Sequence, residues 1–355
     1  MIEFGLRPEA ILEDAARVIE KTKNTLAVIT DQDGRLLGTV TDGDIRRALL
    51  AGFNLNSPIT VCMNKNPITA NVNSSEAYQL DILHRHKIIA LPLVDSKGCC
   101  SRIVRIYDLE ENEFEGGGGE GFYGAVIMAG GEGVRLLPLT EKTPKPMIRV
   151  GGMPLIERQV KRIVKAGITR IFISVNHLSH VIENFFGKGD KYGVPIQYLR
   201  EDKKLGTGGS LSLLPSLEKI DGPIIIINGD VLTTSDYGHL LSFHKEHEAM
   251  VTIGVVNYHL EVPYGVVRVE GVHAVNLEEK PSQHFFCNAG IYVLSPEMLK
   301  FIPREEAFDM TDLIEKFLKK GIKVGVFPIH EFWTDIGTPK ELEKAQEIVK
   351  KLDKF

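Results

Sequence analysis

The chain has 355 residues and a formal net charge of −5, and 43% of its residues are hydrophobic. This length allows two or three domains, each with its own core. The acidic balance and the absence of a long basic stretch argue against a nucleic-acid partner, and no apolar run approaches the roughly 20 residues of a membrane helix. The acidic start Met1-Ile2-Glu3 does not resemble a signal peptide, so we expect a cytoplasmic protein without a membrane partner.

Cysteine usage fits the same compartment. The four cysteines lack the paired spacing of a zinc or redox site, and two of them are adjacent in a strand-like run: Cys62, Cys99, Cys100 and Cys287. We expect all four to be reduced and mostly buried.

The chain up to Glu110 contains a weak internal repeat. Its matching positions keep one constant offset: Asp31, Gly34, Asp44 and Ile45 correspond in turn to Asp95, Gly98, Asp108 and Leu109. Helix-like segments at 10–21 and 75–86 are each followed by a short apolar strand, at 26–29 and 90–94. One such unit would leave an apolar face exposed, so we expect the two copies to stack on each other.

The repeat resembles a tandem pair of CBS domains, at 1–58 and 59–112. In the first copy, the run from Gly38 to Asp44 matches the family's G-x-x-T-x-x-D pattern, in which Thr41 would donate to a phosphate and Asp44 would accept from a ribose diol. In the second copy Arg105 replaces the threonine and only Asp108 remains. The resemblance implies a regulatory site for an adenine nucleotide; the alternative is a packing or dimerising module whose acids cap strand ends.

A glycine-rich segment at 113–121 separates this region from the rest of the chain. Its four consecutive glycines among acidic residues are typical of a flexible linker. The remaining domain would therefore span 122–355.

That domain opens with a phosphate-binding pattern. An apolar strand at 125–129 leads into a turn with three glycines, whose backbone amides could donate to a triphosphate without obstruction from a Cβ. Arg135 could fork onto two phosphate oxygens, and Lys145 is a point charge between Pro144 and Pro146. The backbone contacts would come from Ala129, Gly130, Gly131 and Gly133.

This pattern resembles the G-G-x-G-T-R-L…P-K-P signature of the sugar nucleotidyltransferases, with Val134 where the family has threonine. Two other glycine-rich sites fit less well. A dinucleotide fingerprint needs glycine at the position of Leu136, and a Walker A loop needs Gly-Lys-Ser/Thr.

Downstream, strands and helices alternate, as expected for a doubly wound, mostly parallel α/β sheet whose ligands bind at the carboxyl ends of its strands. The strands are predicted at 171–175, 224–228, 250–256, 290–294 and 323–328, and the helices at 155–166, 177–186, 207–217, 237–246 and 311–319. A final helix is predicted to begin at the capping box Thr338-Pro339-Lys340-Glu341.

Two acids are candidate metal ligands. Asp230 ends the apolar strand 224–228 after a glycine, and Mg²⁺ favours one or two carboxylates together with phosphate oxygens. The resemblance supplies the second acid, because Trp333 to Pro339 is similar to the family's W-x-D-[I/V]-G-T-P motif and places Asp335 at its acid position.

Three further motifs are similar to the family's sugar-binding elements. Glu278 to Pro281 resembles the EEKP element, in which Lys280 would hold the phosphate of a sugar 1-phosphate and Glu279 would accept from sugar hydroxyls. The NAG run implies a sugar contact by Asn288, and the YGVV segment places Tyr264 and Gly265 in the same pocket.

The base would lie near Gly206, in a Leu-Gly-Thr-Gly-Gly run that resembles the family's LGTAG loop. Glu201 precedes this run, at the position where members of the family read the base edge. A carboxylate only accepts hydrogen bonds, so it complements the adjacent N–H donors of guanine better than uracil or thymine.

The resemblance implies transfer of a nucleoside monophosphate from a nucleoside triphosphate to a hexose or hexosamine 1-phosphate, with a GDP-sugar favoured and Mg²⁺ as cofactor. We also expect a homo-oligomer. Two alternatives stay open: a catalytically silent regulatory subunit that senses nucleotide, and an NAD-linked oxidoreductase.

Overall fold

The computed structural model describes residues 5–22, 25–86, 88–109, 121–215, 219–304 and 306–352. The chain divides into two compact units, Met1–Glu115 and Gly116–Phe355. The expected linker at 113–121 lies outside the described residues except for Gly121. Among the described residues, no helix has the length and apolar character needed to cross a bilayer.

The N-terminal unit contains the same arrangement twice. Each half has a three-stranded sheet whose middle strand pairs parallel with the first strand and antiparallel with the third. The first half comprises β1 (Gly5–Leu6), α1 (Leu12–Thr22), β2 (Leu26–Thr30), β3 (Leu36–Thr41) and α2 (Asp42–Leu50), and the second comprises β4 (Ala70–Asn71), α3 (Glu76–His86), β5 (Ala90–Val94), β6 (Cys100–Arg105) and α4 (Ile106–Leu109). The sequence offset predicted from the repeat holds for two pairs of strands: β5 corresponds to β2, and β6 corresponds to β3.

The two halves stack as the repeat predicts. Leu26 and Val28 of β2 share a buried cluster with Ala90 of β5 and Cys100 of β6. An antiparallel bridge also joins the two halves, between Arg35 and Cys99. Each half thus covers an apolar surface of the other.

A seven-stranded sheet forms the centre of the C-terminal unit, in the order β11-β10-β7-β12-β17-β14-β18. Four of the six pairings are parallel and two, both involving β17, are antiparallel. The strands are β7 (Gly124–Met128), β10 (Ile171–Val175), β11 (Ile196–Arg200), β12 (Ile224–Asn228), β14 (Val251–Glu261), β17 (Ser282–Leu294) and β18 (Val324–Ile329). The predicted fold class is confirmed.

Both faces of this sheet are covered, which explains the wholly apolar character of its central strands. Along β12, Ile225 and Ile227 belong to one buried cluster, and Ile224 and Ile226 belong to another. The first cluster includes residues of α5 (Leu155–Lys165), α6 (Ser179–Phe186) and α8 (Tyr237–Glu246), and the second includes residues of α9 (Met310–Lys319).

Smaller elements complete the unit: the strand pairs β8 (Arg149–Val150) with β9 (Met153–Pro154), β13 (Val231–Thr233) with β19 (Trp333–Asp335), and β15 (Val266–Glu270) with β16 (His273–Glu278). The last helix is α10 (Pro339–Leu352). The Thr338 hydroxyl and the Glu341 carboxylate bond each other and the helix's first amides, so the predicted capping box is present.

The predicted helix at 207–217 is wrong. Only α7 (Gly206–Gly209) is α-helical, and a 3₁₀ turn follows it up to Leu213. The amides of Gly208 and Gly209 donate to the carbonyl of Phe308, at 2.9 and 2.7 Å, rather than to a preceding turn of the same helix. Glycine has low helix propensity, so a tertiary contact determines the conformation here.

Two other expectations need correction. The sequence reading missed β11, the β15–β16 hairpin and the long extensions of β14 and β17. Of the four cysteines, all free as expected, only Cys100 is buried.

Candidate active site

The glycine turn after β7 has one position that requires glycine. Gly133 has φ +67°, whereas Gly130 and Gly131 are not in the positive-φ region. A Cβ on Gly133 would lie 2.8 Å from the Thr140 side chain and 2.9 Å from the Cβ of Lys145. The Thr140 hydroxyl also donates to the Gly133 carbonyl at 2.9 Å. The turn is thereby packed against the segment that carries Lys145.

A cavity of about 350 Å³ opens at the carboxyl ends of β7 and β12, where the α/β plan predicts a ligand site. It is large enough for a small organic ligand. Eight of the predicted site residues line it: Gly130, Gly131, Gly133, Arg135, Lys145, Glu201, Gly206 and Asp230.

Lys145 and Asp230 form the central ion pair of this cavity. The Lys145 ammonium lies 2.5 Å from the Asp230 carboxylate, and the two side chains are 12% and 25% exposed. Lys145 begins a 3₁₀ turn that Pro146 continues, and this fixes its backbone. The pair places a cation and an acid at one point beside the phosphate-binding turn.

Asp335 lies on the strand paired with the one that follows Asp230. The amide of Ile336 donates to the Asp230 carbonyl at 3.0 Å, and Val231 pairs with Asp335 in the β13–β19 register. Burial raises the pKa of Asp335, and the negative charges of Glu341 and Asp230 raise it further, against the lowering effect of Lys145. Two acids from distant parts of the sequence are therefore neighbours.

The residues around this acid pair fit a hard divalent cation. Carboxylate oxygens are the donors such ions prefer, and the cavity beside them has room for the phosphate oxygens that usually complete the shell. Burial is the main cause of the raised pKa of Asp335, but the negative charges of Glu341 and Asp230 add to it, and a cation beside these acids would relieve that repulsion.

Arg135 lies against the turn that leads into α10. A Cβ on Gly337 would come within 2.9 Å of an Arg135 guanidinium nitrogen. The Gly337 amide donates to the Glu341 carboxylate at 2.9 Å, which holds this turn in place. Arg135 is exposed and lines the cavity, so its donors can reach a phosphate.

Glu201 has a defined orientation at the other end of the cavity. The Ser174 hydroxyl donates to one of its carboxylate oxygens, and the Leu205 amide donates to the other at 2.9 Å. A carboxylate has about four acceptor positions, so Glu201 retains capacity for a ligand. The N–H of Ala129, in contrast, is not available to a ligand, because it donates to the Ser174 carbonyl.

The predicted sugar-binding residues do not line this cavity. Tyr264 is 75% exposed, and Glu279 and Lys280 are exposed at the end of β16. Gly265 is close to Glu279, because a Cβ there would lie 3.0 Å from the Glu279 carboxylate. Asn288 donates to the Tyr292 hydroxyl at 2.8 Å.

Sequence reasoning missed five polar residues of the cavity wall: Ser174, Lys204, Thr207, Asn228 and Asp309. Two of these hold predicted site residues in place. Ser174, which orients Glu201, is the one hydroxyl residue of the strand β10, near its carboxyl end. Asp309 accepts from the amide of Thr207 at 2.9 Å and so holds the Gly206 turn. Its signal in the sequence is the Asp-Met-Thr-Asp capping pattern that begins at Asp309, the N-cap of α9.

In the N-terminal unit, the predicted regulatory residues make local contacts. The Thr41 hydroxyl donates to the Asp44 carboxylate at 2.7 Å, and both residues form the capping box of α2. The other Asp44 oxygen accepts from Arg47 at 2.7 Å. In the second half, Arg105 pairs with Asp108, and this ion pair lowers the Asp108 pKa.

Comparison with known families identifies the larger unit. Residues 124–351 match the nucleotidyl transferase family, and residues 4–51 match the CBS domain. The chain therefore belongs to the nucleotidyl transferase family, and the oxidoreductase alternative is excluded.

Individual relatives agree with this assignment. The chain is 34% identical over 224 residues to a mannose-1-phosphate guanyltransferase of Emericella nidulans, covering 61% of each chain. It is 32% identical over 228 residues to a mannose-1-phosphate guanylyltransferase of Mycobacterium tuberculosis, covering 62% of this chain and 63% of that one. The matched region thus spans less than two thirds of these relatives.

A solved structure shares the fold. HddC from Yersinia pseudotuberculosis, crystallised in complex with GMP-PN, is 26% identical, with a TM-score of 0.50. The match covers 64% of this chain and 99% of that chain.

Proposed function

We propose that this protein transfers guanylate from GTP to a hexose 1-phosphate, with mannose 1-phosphate as the first candidate, and releases pyrophosphate. The observation that carries the proposal is the single cavity that the glycine turn, Arg135, Lys145 and Asp230 line together, with Asp335 beside Asp230. The named activity of the two relatives and the guanine nucleotide bound to HddC support the choice of base.

The nucleotide would lie across the cavity from Glu201 to Arg135. Guanine presents adjacent N1–H and N2–H donors, and the Glu201 carboxylate, held by Ser174 and Leu205, can accept from both. The triphosphate would contact the amides of the turn at Gly130, Gly131 and Gly133 together with the Arg135 guanidinium.

The reaction needs alignment and charge stabilisation more than acid–base catalysis. A sugar 1-phosphate is largely dianionic at neutral pH, so its oxygen can attack the α-phosphorus in line without a base. The new P–O bond forms as the bond to pyrophosphate breaks. Lys145 would stabilise charge on the α-phosphoryl oxygens, and Arg135 would stabilise the departing pyrophosphate.

Asp230 and Asp335 would hold Mg²⁺, because their oxygens and the adjoining phosphate space match its preferred shell. When bound, this ion would neutralise charge on the α- and β-phosphate oxygens. Asp230 also fixes the Lys145 ammonium, so it would orient the lysine for the α-phosphoryl group as well.

The acceptor sugar would be held from the opposite side, by Lys280 at its phosphate and by Glu279, Tyr264, Gly265 and Asn288 around its ring. Since the first four of these lie on or beside the exposed β15–β16 hairpin, the proposal requires the hairpin to approach the cavity once the acceptor binds. The family resemblance of their motifs supports these roles.

The same proposal extends to the N-terminal unit. We infer that residues 59–112 are a second CBS domain, because they repeat the topology of the matched first domain. An adenine nucleotide bound near Thr41, Asp44 and Asp108 would regulate the enzyme, which we expect to be a cytoplasmic homo-oligomer.

The direct test is pyrophosphate release by the full-length protein with Mg²⁺, GTP and mannose 1-phosphate. We expect release that depends on both substrates, is abolished by EDTA and is at least tenfold slower, as a rough bound, with UTP or dTTP. Other hexose 1-phosphates in the same assay would identify the acceptor. Failure with every pair of nucleotide and sugar phosphate would favour the silent regulatory subunit instead.

A further inference from the structure

A second cavity, of about 320 Å³, lies in the C-terminal unit between α5 and the β13 strand. It shares no lining residue with the candidate active site. Its wall is apolar where β13 and α10 contribute Leu232 and Val349, and Met153 and Phe332 extend this surface. The proposed function assigns no role to this cavity.

One face of α5 gives the cavity a positive charge. Arg158, Lys161, Arg162 and Lys165 all line it, at the i, i+3, i+4, i+7 spacing of a single helix face, and no acidic residue lines it. Arg162 donates to the backbone carbonyls of Thr234 and Ser235, which are neutral. Within the described part of the chain, no carboxylate forms a salt bridge with Arg162 or Lys165. Lys161 lies 3.9 Å from the Glu157 carboxylate, but Glu157 does not line the cavity. The cavity therefore favours an anion.

Two buried polar atoms in the same wall lack a hydrogen-bond partner among the described residues. They are the Tyr237 hydroxyl and the Gln159 side-chain carbonyl, on residues that are 2% and 4% exposed. Leaving such a group buried and unpaired costs roughly 1–3 kcal/mol, so two in one cavity indicate that something else satisfies them. One accepts and the other can donate, which suits a polar ligand.

We propose that this second cavity binds a nucleoside monophosphate. The phosphate would contact the basic face of α5, and the base would pack on the apolar wall formed by Leu232 and Phe332. Ribose or base groups would bond Tyr237 and Gln159. The volume is near the lower end of the roughly 300–1,000 Å³ typical of small-molecule sites.

Hydrogen bonds of the Gln159 side chain link the wall of this cavity to the candidate active site. The Gln159 side-chain amide donates to the carbonyls of Asn228 and Val231, at 2.9 and 2.7 Å, and these residues flank the turn that carries Asp230. A ligand bonded to the other end of the Gln159 side chain would thus restrain the position of Asp230.

Calorimetric titration with GMP tests the proposal. It uses the full-length protein and an Arg135→Ala/Lys145→Ala variant, in which the active site is disabled and binding at the second cavity remains. We expect GMP to bind this variant, and the added changes Lys161→Gln/Lys165→Gln to weaken binding by about tenfold or more, because they remove two phosphate contacts.

The matched control is Lys319→Gln/Lys323→Gln, which makes the same change in charge at two exposed lysines that line neither cavity. It should alter the Kd by less than about twofold. Glucose 1-phosphate and inorganic phosphate are the comparison ligands. Absence of GMP binding, equal affinity for inorganic phosphate, or equal sensitivity to both lysine pairs would overturn the proposal.

Tyr237→Phe gives an independent test. Removing an unpaired buried hydroxyl should leave the unliganded protein as stable as before or more so, while GMP binding weakens severalfold. A variant that is less stable yet binds GMP normally would show that the hydroxyl serves the fold alone and would contradict its assigned role.

Discussion

At the scale of single residues, the Lys145–Asp230 ion pair is the central feature of the candidate active site. A lysine that is 12% exposed lies against an acid, which in turn neighbours a second acid. Either aspartate on its own could be an ordinary turn residue. Their proximity to each other and to one lysine is what the proposed binding of phosphate and metal at this site requires.

Replacing Lys145 with alanine should lower kcat by roughly 10²–10³, because a fixed charge on the transferring phosphoryl group contributes several kcal/mol in the transition state. Steady-state kinetics of pyrophosphate release measure this. Lys142→Ala, at an exposed lysine three residues earlier, should retain near-normal activity. Equal loss in both variants would remove Lys145 from the proposed role.

His244 illustrates a residue whose importance is structural. It is 3% exposed, with its ring nitrogens 2.8 Å from the Thr252 hydroxyl and 3.0 Å from the Ser295 hydroxyl. Burial lowers its pKa from 6.5 to about 4, and the charge of Lys245 adds to this effect. These contacts give His244 a structural role in the core.

The lowered pKa predicts an acid-sensitive fold. Between pH 6.5 and about 4 the unfolded chain binds a proton at His244 that the folded chain does not. His244 therefore does not reduce the free energy of unfolding above pH 6.5. As the pH falls below that value, this group lowers the free energy of unfolding, by roughly 3 kcal/mol at most. Denaturant titrations from pH 8 to 4 should show a shallower decrease for His244→Asn than for the parent protein. Parallel curves would contradict this account.

At the scale of elements, the β15–β16 hairpin is unusual because it exposes apolar residues on both of its strands. Val267, Val269, Val275 and Leu277 are each at least half exposed. The hairpin also carries or adjoins the motifs predicted to bind the sugar. An element with so little packing of its own can change position at small cost, which the proposed binding of the acceptor requires.

Lys280→Ala should raise the KM for the sugar phosphate by about tenfold or more and leave the KM for GTP nearly unchanged, because the lysine would contact only the acceptor phosphate. Lys280 has φ +46°, and alanine has a similar cost there, so the hairpin should keep its conformation. Arg268→Ala makes the same change in charge on the same hairpin and should leave both constants near normal. A larger rise in the KM for GTP than in the KM for the sugar phosphate would contradict the assignment of Lys280 to the acceptor phosphate.

At the scale of the whole molecule, units from two different families share one chain. The smaller one contains two copies of one topology, and the capping contacts of Thr41 and Asp44 show that these residues have a structural role whether or not a nucleotide binds. The proposed regulation therefore depends on a ligand that competes with, or adds to, these local contacts.

AMP or ATP should raise the melting temperature of the N-terminal unit in the full-length protein by several degrees, since ligand at 100 times its Kd adds roughly 2.7 kcal/mol. Asp44→Ala should melt earlier without ligand, because it loses the cap, and should lose the ligand-dependent shift. Asp33→Ala, at an exposed acid in the turn between β2 and β3, should retain the shift. A shift that persists in Asp44→Ala would exclude Asp44 from the ligand site.

The amino-acid sequence alone was enough to predict the local features of the chain: the internal repeat, the apolar strands, the helix caps and the motifs around Arg135, Lys145 and Asp230. Each depends on neighbours in the chain, through periodicity, propensity or the spacing of a motif, and most of the predicted strands and helices are confirmed. The helix at 207–217 failed because a contact with Phe308, far along the chain, outweighs local preference.

Which of these groups lie close together depends on contacts between distant segments of the chain. The β13–β19 pairing brings Asp335 beside Asp230, and Ser174 orients Glu201. Four of the five sugar-binding candidates lie beside a hairpin outside the cavity. The basic cavity beside α5 could not be predicted from the sequence either, because its wall combines one helix face with residues as far along the chain as Val349. Contacts between distant segments depend on how strands pair and helices pack, and no local pattern in a single sequence specifies those contacts.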